Sequence, residues 1–437
     1  MEKIKKIITK IEPFLLPIYI VLNILYVLIG SYYYEIKSLS YYKFSKGFIN
    51  LLFPNIIILI YLIISKIKKN KKVNFNLIDL FLLLIIIFSF ISVLLAKKVD
   101  VALYGMPGRY EGLYQICYYF SLFMLTTFID KKYKKILSYT ILIVTCIETI
   151  YAYFQVMNIF DVVRYYRNNK VWATGFTTNP NFYATISLLG LSTSIGLLFE
   201  EKKHILKIML SCLIVLLMTG LLISNTMSCV VGLLVVIIYT FIYIIVKKKY
   251  LYFSFIILLI IPTIYIASIN KTTLLKDFIK TTNETKEIVS GNIDGEYGTK
   301  RIFIWTKTLE IVPKNIIHGV GIDNFYYAFG DKPISKGRWF FDKAHNEYLQ
   351  VLITEGIFSL ISYLSFFGII VIRGIKESFK DNKIYLILPV IGYLAQAFFN
   401  ISVIEVAPYF YIILGLCVTR NLGGKANEES KRHNTST

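Results

Sequence analysis

The chain has 437 residues, 56% of them hydrophobic and 17% charged, with a mean hydropathy of +0.61. That is too apolar for a soluble domain, where about half apolar is usual, and it excludes a large water-soluble enzyme. The net charge of +21 would suggest nucleic acid on a soluble protein. Here it reports membrane topology instead, and no nucleic-acid partner is expected.

The start, "MEKIKKIITKIEPFLLPIYIVLNILYVLIG", has a basic head and then a long apolar stretch. It lacks the small-residue pattern of a cleavage site, so it reads as an uncleaved first span rather than a signal peptide. Further apolar runs, each near the roughly 20 residues that cross a hydrocarbon core, give candidate spans at 13–31, 48–65, 77–96, 113–129, 136–157, 182–199, 205–223, 227–246, 250–268, 347–372, 384–402 and 406–419. Lys and Arg of the short loops concentrate on one side when the N-terminus is placed inside, and "SKIKKNKK" (65–72) is then a cytoplasmic anchor. The expectation is an all-α polytopic membrane protein of about twelve transmembrane helices in the cytoplasmic membrane, with both termini cytoplasmic. Residues 1–268 would form a bundle of about nine spans, 347–420 the C-terminal transmembrane helices, and 421–437 a disordered cytoplasmic tail. The five cysteines, Cys117, Cys146, Cys212, Cys229 and Cys417, fall inside apolar runs and read as small buried hydrophobes. No Cys/His spacing suggests a metal site.

Segment 269–346 is far longer than the other loops, and a loop of that length usually has structure or function of its own. It is expected to be extracytoplasmic. Its first part is polar and Gly-punctuated. After it, Ile302, Trp305, Leu309 and Val312 recur at helical spacing, with Thr299 as a cap and Pro313 as a stop. This predicts an amphipathic helix on the outer membrane face, its apolar side toward lipid or bundle. "HGVGIDNF" reads as a turn-rich link.

Four polar clusters fall on the outer side of this topology. "YGMPGRYEGL" (104–113) holds Arg109 and Glu111 among helix-breaking Gly and Pro. "TTNPNFYA" (177–184) carries Asn179 and Asn181 at a helix start. Arg301 heads the loop helix. "KGRWFFDKAHNEYLQ" (336–350) holds Arg338, Lys343, His345 and Glu347. Each has a plain structural role open to it: a loop ion pair, a helix cap, an interfacial arginine, a helix-start histidine. Their convergence on one face favours a site. Within the spans, Glu148 and Glu355 are ionisable, which is costly and tends to mark function or pairing.

Arginine forks match phosphate geometry and stay charged. A pyrophosphate leaving group needs such stabilisation where no metal is supplied. A histidine titrating near neutrality can take a proton from an attacking hydroxyl. Tyrosines and Trp339 beside it suit sugar faces. The residues alone therefore point to transfer from a polyprenyl-phosphate-type donor.

The pattern Arg301, Trp305, "HGVGIDNF" (318–325), "AHNEYL" (344–349) and Glu355-Gly356 resembles the signature region of the O-antigen ligase and polymerase superfamily. "GRYEGL" and "NPNFYA" are similar to its other recurring stretches. The resemblance implies metal-independent, inverting transfer of a glycan from an undecaprenyl-pyrophosphate carrier to an acceptor hydroxyl, on the outer face of the cytoplasmic membrane, without a cofactor. The acceptor would be a glycan, a lipid or a protein, with membrane lipids as surroundings. It assigns Arg301 and His345 as catalytic residues, and Arg109, Glu111, Asn179, Asn181, Arg338, Lys343 and Glu347 become candidates for binding substrate. Glu347 or Glu111 would orient the histidine or a sugar. Met227 stands where the ligases carry an arginine; Arg109 or Lys343 would supply that charge, or the acceptor differs. This leans toward a polymerase. The alternative class is a transporter of lipid-linked sugars, but such proteins tend to bury their binding residues at the midplane in repeated halves, and no repeat is visible here.

Overall fold

The computed structural model describes residues 2–37, 40–68, 75–160, 162–167, 170–253, 260–261, 264–265, 268, 274–290, 297–298, 300–330, 332–334, 337–339 and 341–418. The elements run α1 (Glu2–Lys37), α2 (Tyr41–Lys68), α3 (Leu77–Leu94), α4 (Val99–Tyr104), α5 (Leu113–Thr127) and α6 (Lys131–Met157). A ribbon of β1 (Tyr165–Arg167) and β2 (Lys170–Trp172) precedes α7 (Pro180–Glu200), α8 (His204–Ile223) and α9 (Met227–Val246). The long loop holds α10 (Leu274–Val289), α11 (Arg301–Asn315), α12 (Phe325–Phe329) and a second ribbon, β3 (Lys332–Ile334) with β4 (Gly337–Trp339). The chain closes with α13 (Glu347–Glu355), α14 (Ile357–Asp381), α15 (Ile384–Gln396), a 3-10 turn (Ala397–Phe399) and α16 (Ala407–Cys417).

Among the described residues, eight helices are long and apolar enough to cross a membrane: α1, α2, α3, α6, α7, α8, α9 and α14. This is a multi-pass membrane protein. The apolar runs at 384–402 and 406–419 form shorter helices. The run at 250–268 lies largely outside the described residues, as do 421–437. Helix α7 is the centre of the bundle and is buried on almost every side. Its Ser, Thr and Gly side chains are small, so neighbouring helices approach closely. It packs against α15, α8 and α6, while α16 lies on α5 and α14 on α3. Of the five cysteines, Cys212 is exposed on α8, contrary to the expectation of burial.

The run 347–372 is two helices, not one span. Gly356 takes φ +87°, outside the helical region, and ends α13 by donating its N–H to the Leu352 carbonyl at 3.0 Å. The break is filled by the link "HGVGIDNF". Val320 and Gly321 donate to the carbonyls of Ile353 and Thr354 at 2.9 and 3.0 Å, and Ile357 donates to the Ile316 carbonyl at 2.7 Å. Backbone groups freed by the break are thus satisfied by protein. A side chain does not fit there: a Cβ on Gly356 would lie 2.3 Å from the Ile317 oxygen, and one on Gly319 (φ +71°) 2.2 Å from the Thr354 backbone.

The loop also departs from its sequence reading. The polar stretch before Gly298 contains α10, a 16-residue helix. In α11 the buried positions are Ile304, Thr308 and Val312, whereas Leu309 is 56% exposed. The inward stripe is therefore rotated from the expected one, because α11 packs on Phe325, Phe329, Ala344 and Ile353 of the loop and α13. Pro313 sits inside α11 and does not stop it. Its ring removes the N–H that would bond the Leu309 carbonyl, and α11 ends two residues later at Asn315. Thr299 lies outside the described residues.

Candidate functional site

The Gly-rich stretch after α4 lies across the link 318–325. The Met106 N–H donates to Asp323 Oδ2 at 2.6 Å. Lys98 and Asn324 exchange two hydrogen bonds: the Lys98 N–H donates to Asn324 Oδ1 at 3.0 Å, and Asn324 Nδ2 donates to the Lys98 carbonyl at 3.1 Å. Arg109 and Tyr110 close a turn by donating to the Met106 carbonyl at 2.9 and 2.8 Å.

This arrangement aims two charges at the segment before α13. Arg109 Nε donates to Asp342 Oδ2. Glu111 reaches Lys343 Nζ at 3.2 Å, and Asp323 Oδ1 approaches the same ammonium at 2.7 Å. Lys343, Glu111 and Asp323 are all buried. Burial works against a charged Lys343, but Asp323 and Glu111 outweigh it and hold its pKa above the ordinary value. Burial also opposes ionisation of Asp342, yet the Arg109 guanidinium beside it keeps its carboxyl below the usual range. Residues 106–111 are therefore joined to Asp323 and to residues 342–343, more than 200 positions later in sequence.

His345 follows directly. It is not the helix cap: Asn346 is, its Oδ1 accepting the Leu349 N–H at 3.0 Å. His345 stands just before the cap with φ +50°, a left-handed conformation uncommon outside glycine. The preceding peptide is held on both sides. Ala344 donates its N–H to Gln350 Oε1 at 2.7 Å and accepts from Trp305 Nε1 at 3.0 Å. Trp305 is one turn along α11 from Arg301, so the face of the helix that grips the histidine segment also carries the arginine.

The electrostatics of His345 follow from these neighbours. Its imidazole is pushed down to about 4, first by burial, then by the positive charge of Arg301, with Arg109 and Lys343 adding to the effect and Asp342 opposing it. At neutral pH the ring is uncharged, which is the form that accepts a proton. Arg301 itself loses some of its ordinary pKa to burial; a guanidinium remains charged regardless. A cation beside a neutral imidazole, at the end of a polar loop, suits an anion next to a hydroxyl.

Below the ion pairs lies a cavity of about 80 Å³ lined by Glu111, Asp323, Lys343, Glu347, Glu355 and Tyr119, among others. Glu347 is buried and accepts from the hydroxyls of Tyr363 and, at 3.2 Å, Tyr393. Glu355 accepts from Ser89 and, at 3.1 Å, Ser359. Glu148, farther away, accepts the Phe176 N–H at 2.7 Å.

Of the residues singled out from sequence, Arg109, Glu111, Arg301, Lys343 and His345 come together here. Glu111 is engaged with Lys343 and Glu347 with two tyrosines, whereas Asp342 is the carboxylate that acts on the histidine. Asn179 caps α7, accepting the Asn181 N–H at 2.9 Å. The same helix start brings the Phe182 ring to 5.9 Å from the Arg109 guanidinium. The side chains of Arg338 and Trp339 lie outside the described residues. Sequence reading missed Asp323, Asn324 and Asp342. The signal for the first two was an Asp-Asn pair behind two glycines, which passed as turn chemistry.

Residues 212–364 match the family model described as O-antigen ligase. That interval runs from α8 through the long loop into α14, and so contains Arg301, the link and His345. No match was found among curated proteins.

Proposed function

We propose that this chain, a multi-pass protein of the O-antigen ligase and polymerase superfamily, moves a glycan from an undecaprenyl-pyrophosphate carrier to an acceptor hydroxyl. The work is done at the outer face of the cytoplasmic membrane, during assembly of a surface polysaccharide, with both termini cytoplasmic. The observation that carries this reading is that Arg301 heads the helix whose Trp305 bonds the carbonyl just before His345, on a segment also fixed by Arg109 and Lys343.

Arg301 takes the donor pyrophosphate, whose charge grows as the bond to the sugar breaks. The acceptor hydroxyl attacks the anomeric carbon from the opposite face, giving inversion. The new glycosidic bond forms from the hydroxyl oxygen; the bond from the anomeric carbon to the phosphate oxygen breaks, and its electron pair leaves with undecaprenyl pyrophosphate. The hydroxyl proton passes to His345. A ring with pKa about 4 is a weak base alone. Burial depresses it most and the Arg301 charge next; a pyrophosphate seated on Arg301 cancels that second contribution, so donor binding raises the basicity of His345 when it is needed. Arg109 acts through Asp342 on the histidine segment rather than on the phosphate. Glu111 and Lys343 serve the same frame, and Asn179 supports it through the start of α7. Arg338 and Asn181 are further candidates for sugar contacts.

Met227 in place of a ligase arginine favours a growing glycan as the acceptor. Complementation tests the reading. In the native strain lacking the gene, Arg301→Ala and His345→Ala accumulate carrier-linked glycan although the protein is present. Single repeat units on the carrier identify a polymerase; long carrier-linked polymer identifies a ligase. Normal surface glycan with both variants rejects the reading.

A further inference from the structure

The guanidinium of Arg301 is bonded to a strained turn. Gly298 (φ +59°) and Lys300 (φ +70°) are both left-handed, and Lys300 offers α11 no side-chain cap. A left-handed lysine is strained by about 1–2 kcal/mol. The Gly298 carbonyl receives two bonds from one residue: the Arg301 N–H at 3.2 Å and Arg301 Nη1 at 3.3 Å. That carbonyl thus ties the guanidinium to the turn. On its other side the same glycine is tied to α10, because the Gly298 N–H donates to Glu284 Oε2 at 3.0 Å.

Glu284 is built for this contact. Its side chain is only 12% exposed, although it sits on a polar loop helix. Its second oxygen lies 3.6 Å from Lys280 Nζ, one turn earlier, and Lys280 is 71% exposed. That surface pair adds little, whereas a carboxylate accepting a backbone N–H makes a charge-assisted hydrogen bond, stronger than a neutral one.

We propose that Glu284 is the positioning residue for Arg301. It fixes the Gly298 turn from α10 and so sets where the donor pyrophosphate binds. This rests on the reading of Arg301 as the donor's phosphate ligand. It gives α10 a part in catalysis without contact with the substrate. It also predicts that a defect there falls on the donor and spares the acceptor.

The test uses the full-length protein in lipid nanodiscs, with Glu284→Ala, Glu284→Gln, Lys280→Ala and Arg301→Ala. Hydrogen exchange at the Gly298 amide reads the contact directly. Exchange is expected to speed up in Glu284→Ala and to stay near wild type in Glu284→Gln, whose amide oxygen still accepts. Transfer kinetics with a lipid-linked donor read the consequence: KM for the donor rises roughly tenfold in Glu284→Ala with acceptor KM unchanged. Glu284→Gln restores most of it, and Lys280→Ala changes little. Unchanged Gly298 exchange in Glu284→Ala overturns the contact. Faster exchange with an unchanged donor KM, or an equal loss for donor and acceptor, overturns the positioning role. Normal transfer by Arg301→Ala rejects the donor reading instead, and the exchange result shows which of the two failed.

Discussion

Arg109 donates to Asp342, and Asp342 lies three residues before His345. An arginine from the loop before α5 thereby controls a histidine in front of α13, more than 200 residues later. Replacing Arg109 by Ala leaves that histidine segment with one anchor fewer. Activity is expected to fall about 10- to 100-fold, since small misplacements of a reacting group cost on that scale. The pair is partly exposed, so stability drops by only about 1 kcal/mol. Arg109→Lys recovers only part, because a lysine lacks the fork. Transfer rate against thermal unfolding in detergent separates the two effects.

Lys343 is the opposite case, a buried cation between two carboxylates. Lys343→Met leaves Glu111 and Asp323 facing each other without compensation and is expected to destabilise by roughly 3–5 kcal/mol. The membrane level of the protein should collapse. Adding Glu111→Gln and Asp323→Asn to Lys343→Met removes the stranded charges and should restore much of the level. Immunoblots of membrane fractions check this; a triple variant no more abundant than the single one contradicts it.

The depressed pKa of His345 has a defined sign in pH. The folded state disfavours the proton, so between an unfolded value near 6.5 and the folded value of about 4 the unfolded chain binds more protons. Stability from this group is complete above the unfolded value and is lost as pH falls through that window. The acid limb of kcat/KM for the donor, which reports the free enzyme, should lie well below 6.5. Removing the charge of Arg301 with Arg301→Gln should move that limb upward in whatever activity remains. A limb at the ordinary histidine value in the wild type would show that Arg301 and burial do not act on this ring.

Gly356→Ala tests the break between α13 and α14. The new Cβ meets the Ile317 carbonyl, and the backbone stays left-handed. A cost of about 2 kcal/mol or more is expected from strain and the lost link contacts. It should lower both protein level and transfer, because the link carries Asp323. Protease sensitivity of residues 316–324 in membranes is the direct check.

The eight helices of membrane length were legible because an apolar run that long has almost nowhere to go but the bilayer. The break at Gly356 was not, since a lone glycine inside a periodic run is usually tolerated in a helix. The inward face of α11 was misjudged for a related reason: Leu309 fits the helical period, but tertiary packing chose Thr308. In the site, the rare ionisable residues at loop ends, Arg301, Arg109 and His345, stood out against an oily background. Asp342 and Asp323 did not, because Arg109 and Met106, which they bind, lie more than 200 residues away, where no local spacing records them.

If His345 and Arg301 perform glycan transfer on a pyrophosphate-linked donor, the carrier left behind can be counted. The purified protein in nanodiscs is given an undecaprenyl-pyrophosphate-linked glycan and an acceptor, and undecaprenyl pyrophosphate released per mole of protein is measured. The wild type should release it in step with new glycosidic linkage, His345→Ala should release none above background, and Arg301→Ala should release far less. Equal release by the wild type and His345→Ala, both folded, would contradict the account.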